Sequence, residues 1–304
     1  MPKNLTKWLN HILPAPFTIA IILTIITFFL AFFITKSETN KSHILELFLF
    51  WEKGMWHPPL LVFAIQMMLM LVLGHVLALT KPVKSLILKA TIFCNNTANS
   101  AAIITFFTIL VSLFNWGLGL IFGAIFARKV GEHASEKGIP LNYPLIGAAG
   151  YSGLMVWHGG ISGSAPIKIA EKEHFLSDKI GVISQAETIF STMNITVSII
   201  LIITLPILMY LIGKKNPGTK IYLKIKKKNK EKITNNIDHS RLMPLIVGGI
   251  LILFVLYKGF ILPKKISLSI ITPNYINLFL LATGIIMHKS FYDFLKAVDS
   301  AISG

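Results

Sequence analysis

The chain has 304 residues, 54% of them hydrophobic and only 14% charged, with a formal net charge of +16. At a mean hydropathy of +0.69 most of it belongs in hydrocarbon, which excludes a single soluble core. The basic residues gather between apolar runs, without interleaved aromatics, so they read as loops of a membrane protein and not as a nucleic-acid surface.

The N-terminal residues hold Lys3 and Lys7 with no acid, and an apolar run follows from Phe17 to Thr35. It passes into Lys36, Ser37 and Glu38 without a small-residue cleavage site, so it reads as a retained first span starting inside. Trp51 and Trp56 suit an interface, and a second span runs from Leu60 to Leu79. His75, near its end, reads as a packed or interfacial histidine.

Cys94, the one cysteine, leaves no disulfide framework or multi-cysteine metal site. The polar cluster Asn95, Asn96, Thr97, Asn99 and Ser100 can cap a helix start. From Ala101 to Ala127 the chain is apolar for about 40 Å as one helix, against roughly 30 Å of hydrocarbon. Its middle is Asn115-Trp116-Gly117-Leu118-Gly119. Two readings remain open: a re-entrant hairpin of two short limbs with its tip at the midplane, or one long tilted helix. Loop charge favours the hairpin, because only it places most basic residues on the same side as the acid-free N-terminus.

The stretch Asn142–Pro166 is apolar yet carries Gly147, Gly150, Gly153, Gly159, Gly160 and Gly163. Each glycine in a helix costs roughly 1 kcal/mol relative to alanine, which argues for an interrupted helix around Trp157–Ser164. Broken backbone within a membrane is tolerated where it lines a cavity or is buried in protein, and it marks the binding site of many secondary transporters. Gly147, Gly150 and Gly153 recur every three residues and read as packing positions. The mixed-charge segment Lys168–Glu187 suits an outside loop, and Ser191-Thr192-Met193-Asn194 opens a span to Ile212, with Asn194 read mainly as its cap. A lysine-dense linker over residues 213–242 includes Lys224–Lys232, and Met243–Leu262 and Asn274–Met287 are the last apolar runs. Phe291–Gly304 reads as a weakly amphipathic tail.

Pro82-Val83-Lys84-Ser85-Leu86, Asn115–Ala124 continuing to Arg128, Gly159-Gly160-Ile161-Ser162-Gly163-Ser164, Phe190–Asn194, and Asn277-Leu278-Phe279 to His288-Lys289 occur in an order that resembles the short-chain fatty acid transporter family, the acetoacetate/butyrate permease-like group. The resemblance implies an all-α polytopic membrane protein that carries short-chain monocarboxylates across the bacterial inner membrane, multi-pass, with its N-terminus cytoplasmic. It also implies one repeat over residues 1–212, with a hairpin at about 98–130 and a broken helix at about 141–170. A linker at 213–242 would precede the start of a second inverted repeat at 243–304. His158 stands where the permease has a third glycine. The family continues beyond the length seen here, so a truncated or split half-transporter without activity of its own is the alternative, as is a carrier of another small organic anion. The expected partners are the monocarboxylate, the bilayer, and either a separately encoded second half or a homo-oligomer; no nucleic acid is expected.

The substrate- or ion-binding candidates are Asn115, Gly117, Gly119, Trp157, His158, Gly159, Gly160, Ser162, Gly163 and Ser164, with Thr97, Asn99 and Asn194 in a second rank. A half-helix restarting at Ala165-Pro166 under a Ser162 or Ser164 cap would offer amides to a carboxylate. The Asn115 amide oxygen and nearby carbonyls would suit a hard cation. Trp116 and Trp157 are either packing or an apolar wall for an acyl chain. No Asp or Glu lies inside a span, which favours Na+ over H+ as the coupling ion, although His158 can titrate. No cofactor, metal or catalytic residue is expected. Gly117-Leu118-Gly119 lacks the dinucleotide spacing, Gly160-Ile161-Ser162-Gly163 is not a nucleophile elbow, and no zincin or Walker sequence occurs.

Overall fold

The computed structural model describes residues 14–37, 42–223, 237–263 and 267–303. The Lys3/Lys7 segment and the Lys224–Lys232 run lie outside the described residues. The chain divides into two compact units, Met1–Leu61 and Val62–Gly304. Among the described residues regular structure is almost entirely helical, and five helices are long and apolar enough to cross a membrane. This is an all-α, polytopic membrane protein.

In the first unit α1 (Pro16–Ile34) buries none of its side chains, as suits a helix surrounded by lipid. It meets α2 (His43–Met55) through Phe28 and Phe48, whose rings lie 4.8 Å apart. Next, α3 (Pro58–Ala78) and α4 (Lys81–Thr91) follow, with prolines in the first turn of each, where a missing amide costs nothing.

The centre of the second unit is a helical hairpin, α5 (Thr97–Phe114) and α6 (Trp116–Lys137). The turn is a single residue, Asn115, in extended conformation (φ −149, ψ 123). Gly119 faces Ser112, Gly123 faces Thr108 and Phe126 faces Phe107, so one limb descends as the other rises. At 18 and 22 residues the limbs are about 27 and 33 Å long. They are therefore not the short limbs expected from the apolar run alone. The helices outrun it because Asn96 caps the start of α5 and Gly138, in left-handed conformation, ends α6.

Next, α7 (Tyr143–Tyr151) passes into a 3-10 segment (Ser152–Gly159), an extended Gly160, a turn, and the short α8 (Ser164–Ile169). The segment runs alongside α5: Ser152 Oγ lies 3.2 Å from Thr105 Oγ1, and Ile161 N–H donates to Leu113 O at 2.7 Å. A Cβ on Gly150 would strike the Gly123 carbonyl, and one on Gly153 the Thr108 carbonyl, so both admit close helix approach, whereas Gly147 faces open space.

The segment expected as an outside loop is partly buried. It holds α9 (Ser177–Ile180), a buried His174 that bonds Gly181 O, and Lys168, whose side chain is 6% exposed and pairs with Glu171 at 2.6 Å. Then α10 (Thr192–Lys215) runs antiparallel to α5, with Gly213 against Ala98. Thr97 Oγ1 donates to Pro217 O and accepts from Asn142 N–H, and β1 (Pro140–Leu141) pairs with β2 (Thr219–Lys220). These bonds gather the loops that carry Lys137, Lys214, Lys215 and Lys220 at one end of the bundle.

The chain ends with α11 (Leu242–Leu256), extended by a π turn to Ile261, then α12 (Pro273–Met287) and α13 (Phe291–Ile302). The tail expected to be weakly amphipathic is this last helix. Ser290 caps it, and it buries Phe294 and Ala297 with Val76 and Ile285.

Candidate functional site at the hairpin tip

Asn115 is fully buried, and its side chain does two things. Its Oδ1 accepts from Leu118 N–H at 2.7 Å, capping α6. That bond fixes the amide orientation, so Nδ2 points elsewhere, and this donor has no hydrogen-bond partner within the protein. The oxygen expected to serve a cation is thus engaged, and the free atom is an N–H. Beside it the Trp116 indole Nε1 is also buried without a partner, as is Ser112 Oγ one turn back along α5.

Ser162 is buried, and its Oγ accepts from Trp116 N–H at 3.0 Å. The broken segment therefore caps the hairpin's second helix, not its own. The local helix α8 has six residues, Gly163 as its N-cap and no side-chain cap bond, which corrects the half-helix capped by Ser162 or Ser164. The substantial dipole at this place belongs to α6, whose positive end lies at Asn115 and Trp116.

Trp116 and Trp157 meet edge to face with ring centres 5.1 Å apart, and Trp157 in turn touches the exposed His158 ring at 4.5 Å. Asn194 does not cap α10; Ser191 does, at 3.2 Å. The Asn194 Nδ2 instead donates to Gly159 O at 2.9 Å and Ile189 O at 2.7 Å, holding the broken segment against α10. A cleft of about 200 Å³ opens there, lined by Gly159, Gly160, Leu113, Phe190, Asn194 and Ser198 among others.

Several glycine candidates act by size. A Cβ on Gly117 would lie 2.9 Å from Leu71 Cα, one on Gly119 would strike Ser112, and one on Gly160 would lie 2.5 Å from Leu113 O. Gly163 closes the turn against the His158 carbonyl, and Ser164 begins α8. The structure therefore brings Asn115, Trp157, Gly160 and Ser162 to one place, with Gly117 and Gly119 as the gaps that let α3 and α5 reach it. Thr97 and Asn99 are not there. They lie at the other end of α5, about 25 Å away along the helix, where Thr97 ties the loops together.

Sequence reasoning missed Gly74. A Cβ on it would stand 2.5 Å from Leu118 N and 2.8 Å from Asn115 Oδ1, so α3 presses directly on the tip. It also missed Gln66 and Asn277, buried in the seam between α3 and α12. Asn277 Nδ2 donates to Gln66 O at 2.9 Å, and Gln66 Nε2 donates to Asn274 Oδ1 at 3.0 Å. The available signal was an amide inside each apolar run, which has a cost in hydrocarbon unless it is paired or used.

A multi-helix membrane bundle with a hairpin, an interrupted helix and unpaired donors at their meeting point has the construction of a membrane carrier. The short chain fatty acid transporter family matches residues 1–304. Two relatives named "Putative short-chain fatty acid transporter", from Escherichia coli (strain K12) and Haemophilus influenzae (strain ATCC 51907 / DSM 11121 / KW20 / Rd), are each 30% identical over 98% of this chain and 67% of their own length. No solved structure matches significantly. The chain belongs to the short-chain fatty acid transporter family.

Proposed function

We propose that the protein is a cation-coupled carrier of short-chain monocarboxylates of the butyrate and acetoacetate class, with the substrate carboxylate held at the hairpin tip. The observation that carries this reading is the pair of buried, unpartnered N–H donors, Asn115 Nδ2 and Trp116 Nε1, at the positive end of a 22-residue helix. A buried donor without an acceptor costs about 1–3 kcal/mol, and a carboxylate supplies acceptor oxygens and a charge of the sign that the helix end favours. The Trp116/Trp157 pair gives a short acyl chain an apolar wall. Ser162 and Asn194 position the tip and the broken segment; neither is assigned a catalytic role, and the reading contains no enzyme chemistry.

The lysine-bearing loops at one end of the bundle support a cytoplasmic placement of that end in the inner membrane, and the acid-free Lys3/Lys7 sequence supports a cytoplasmic N-terminus. The test is uptake of labelled butyrate into proteoliposomes. Saturable uptake that is competed by acetoacetate and abolished in Asn115→Leu protein of normal membrane insertion supports the reading. Saturable uptake unchanged by that substitution would remove the site assignment.

A further inference from the structure

We infer that the seam between α3 and α12 is a binding site for a small monovalent cation, with the side-chain oxygens of Gln66 and Asn277 as its protein ligands. Gln66 is 4% exposed and Asn277 7%. The Asn277 amide orientation is fixed by its partner, and that of Gln66 is set jointly with the Asn274 amide it pairs with. Asn277 must turn Nδ2 toward the Gln66 carbonyl, which can only accept. Gln66 turns Nε2 toward Asn274 Oδ1. What remains on each side chain is the oxygen, and both Gln66 Oε1 and Asn277 Oδ1 are buried without a hydrogen-bond partner.

Two acceptors in one helix seam call for a donor or a cation. Hard cations prefer oxygen ligands, and uncharged amide oxygens suit a single positive charge, since calcium sites of useful affinity draw on carboxylates. A third buried oxygen without a partner, Gln185 Oε1, belongs to a side chain whose Nε2 donates to Ile271 O, three residues before Asn274. It therefore approaches the same end of α12. Asn274, at the rim, is exposed, so the seam has a mouth. A fixed charge beside this stretch of α3 is Lys168, whose ammonium sits 5.8 Å from the centre of the Phe63 ring, one turn from Gln66. Its pairing with Glu171 at 2.6 Å offsets its repulsion of an incoming cation.

The seam also touches the tip. One turn along α3 from Gln66, Met70 and Leu71 meet Gly117, and Phe114 meets Phe279 with ring centres 6.0 Å apart. A cation that tightens the α3–α12 seam thereby presses on the helix start at which the carboxylate is placed. The inference deepens the carrier reading and rests on it only for this coupling; the cation site stands on its own geometry.

The experiment is thermal unfolding of the purified 304-residue chain in detergent, in NaCl against choline chloride at equal ionic strength, with and without butyrate. Sodium is expected to raise Tm saturably. Gln66→Met, which keeps the volume and removes the oxygen, should weaken the apparent sodium affinity at least tenfold, while Gln66→Glu should strengthen it. No sodium-specific shift in the unaltered chain, or an unchanged shift in Gln66→Met together with an unchanged affinity in Gln66→Glu, would overturn the site. A butyrate shift in choline that Asn115→Asp abolishes reports on the tip separately. Loss of the sodium effect with the butyrate effect intact removes this inference alone, and the converse removes the tip reading alone.

Discussion

The hairpin tip and the α3–α12 seam are both amide-bearing places buried in apolar surroundings, but they leave opposite chemistry unpaired. At the tip the Asn115 oxygen is consumed by the cap of α6 and the nitrogen is left over. In the seam the Gln66 and Asn277 nitrogens are consumed and the oxygens are left over. The same functional group thus offers itself to an anion in one place and to a cation in the other. What decides is which neighbouring group, backbone or side chain, takes up the other end of the amide.

The sharpest way to break the contrast is to invert the tip. Asn115→Asp keeps an oxygen for Leu118 N–H and replaces the free donor with a negative oxygen, so butyrate uptake should fall by about a hundredfold or more while the hairpin stays capped. Retained uptake would show that the free N–H does not face the substrate. A large structural effect comes next. Gly123→Val forces a side chain onto the Gly150 carbonyl, and overpacking of this kind costs about 1–3 kcal/mol or more. It should lower the yield of folded protein, whereas Gly147→Ala, facing open space, should leave Tm unchanged or raise it by the helix propensity gained. Equal behaviour of the two variants in a heat-stability assay would refute the packing assignment.

Trp116→Phe keeps an aromatic wall and deletes one donor, so KM for butyrate should rise about tenfold with modest change in maximal rate. An unchanged KM would leave Asn115 as the sole anchor. The smallest effect concerns Cys94, which belongs to neither site. Burial pushes its thiol up to about 11, so its reaction with a maleimide near pH 8 should be slower than that of an exposed cysteine by about a hundredfold. Denaturant should restore the ordinary rate.

The membrane class and the family were legible because they rest on long, redundant signals: apolar runs of spanning length and motifs in a fixed order. The turn at Asn115 has a local signal as well, an amide followed by spaced glycines. Which atom of Asn115 would be free has none, because it depends on whether Leu118 N–H or another donor takes the oxygen. Ser162 reads as a cap for the helix just after it, but in three dimensions its hydroxyl accepts from the Trp116 amide, and this partner lies 46 residues away. Asn194 likewise reads as a cap, yet Ser191 occupies that role and frees the amide to clamp Gly159. Gln66 and Asn277 lie 211 residues apart. Their pairing is a tertiary fact that helical periodicity cannot carry.

The most direct test of the opposed-chemistry account is butyrate uptake by Asn115→Asp proteoliposomes beside the same protein's sodium-dependent Tm shift. The account predicts that uptake is lost and the sodium shift survives. Uptake at the unaltered rate, or disappearance of both responses in protein that is still inserted and folded, would contradict it.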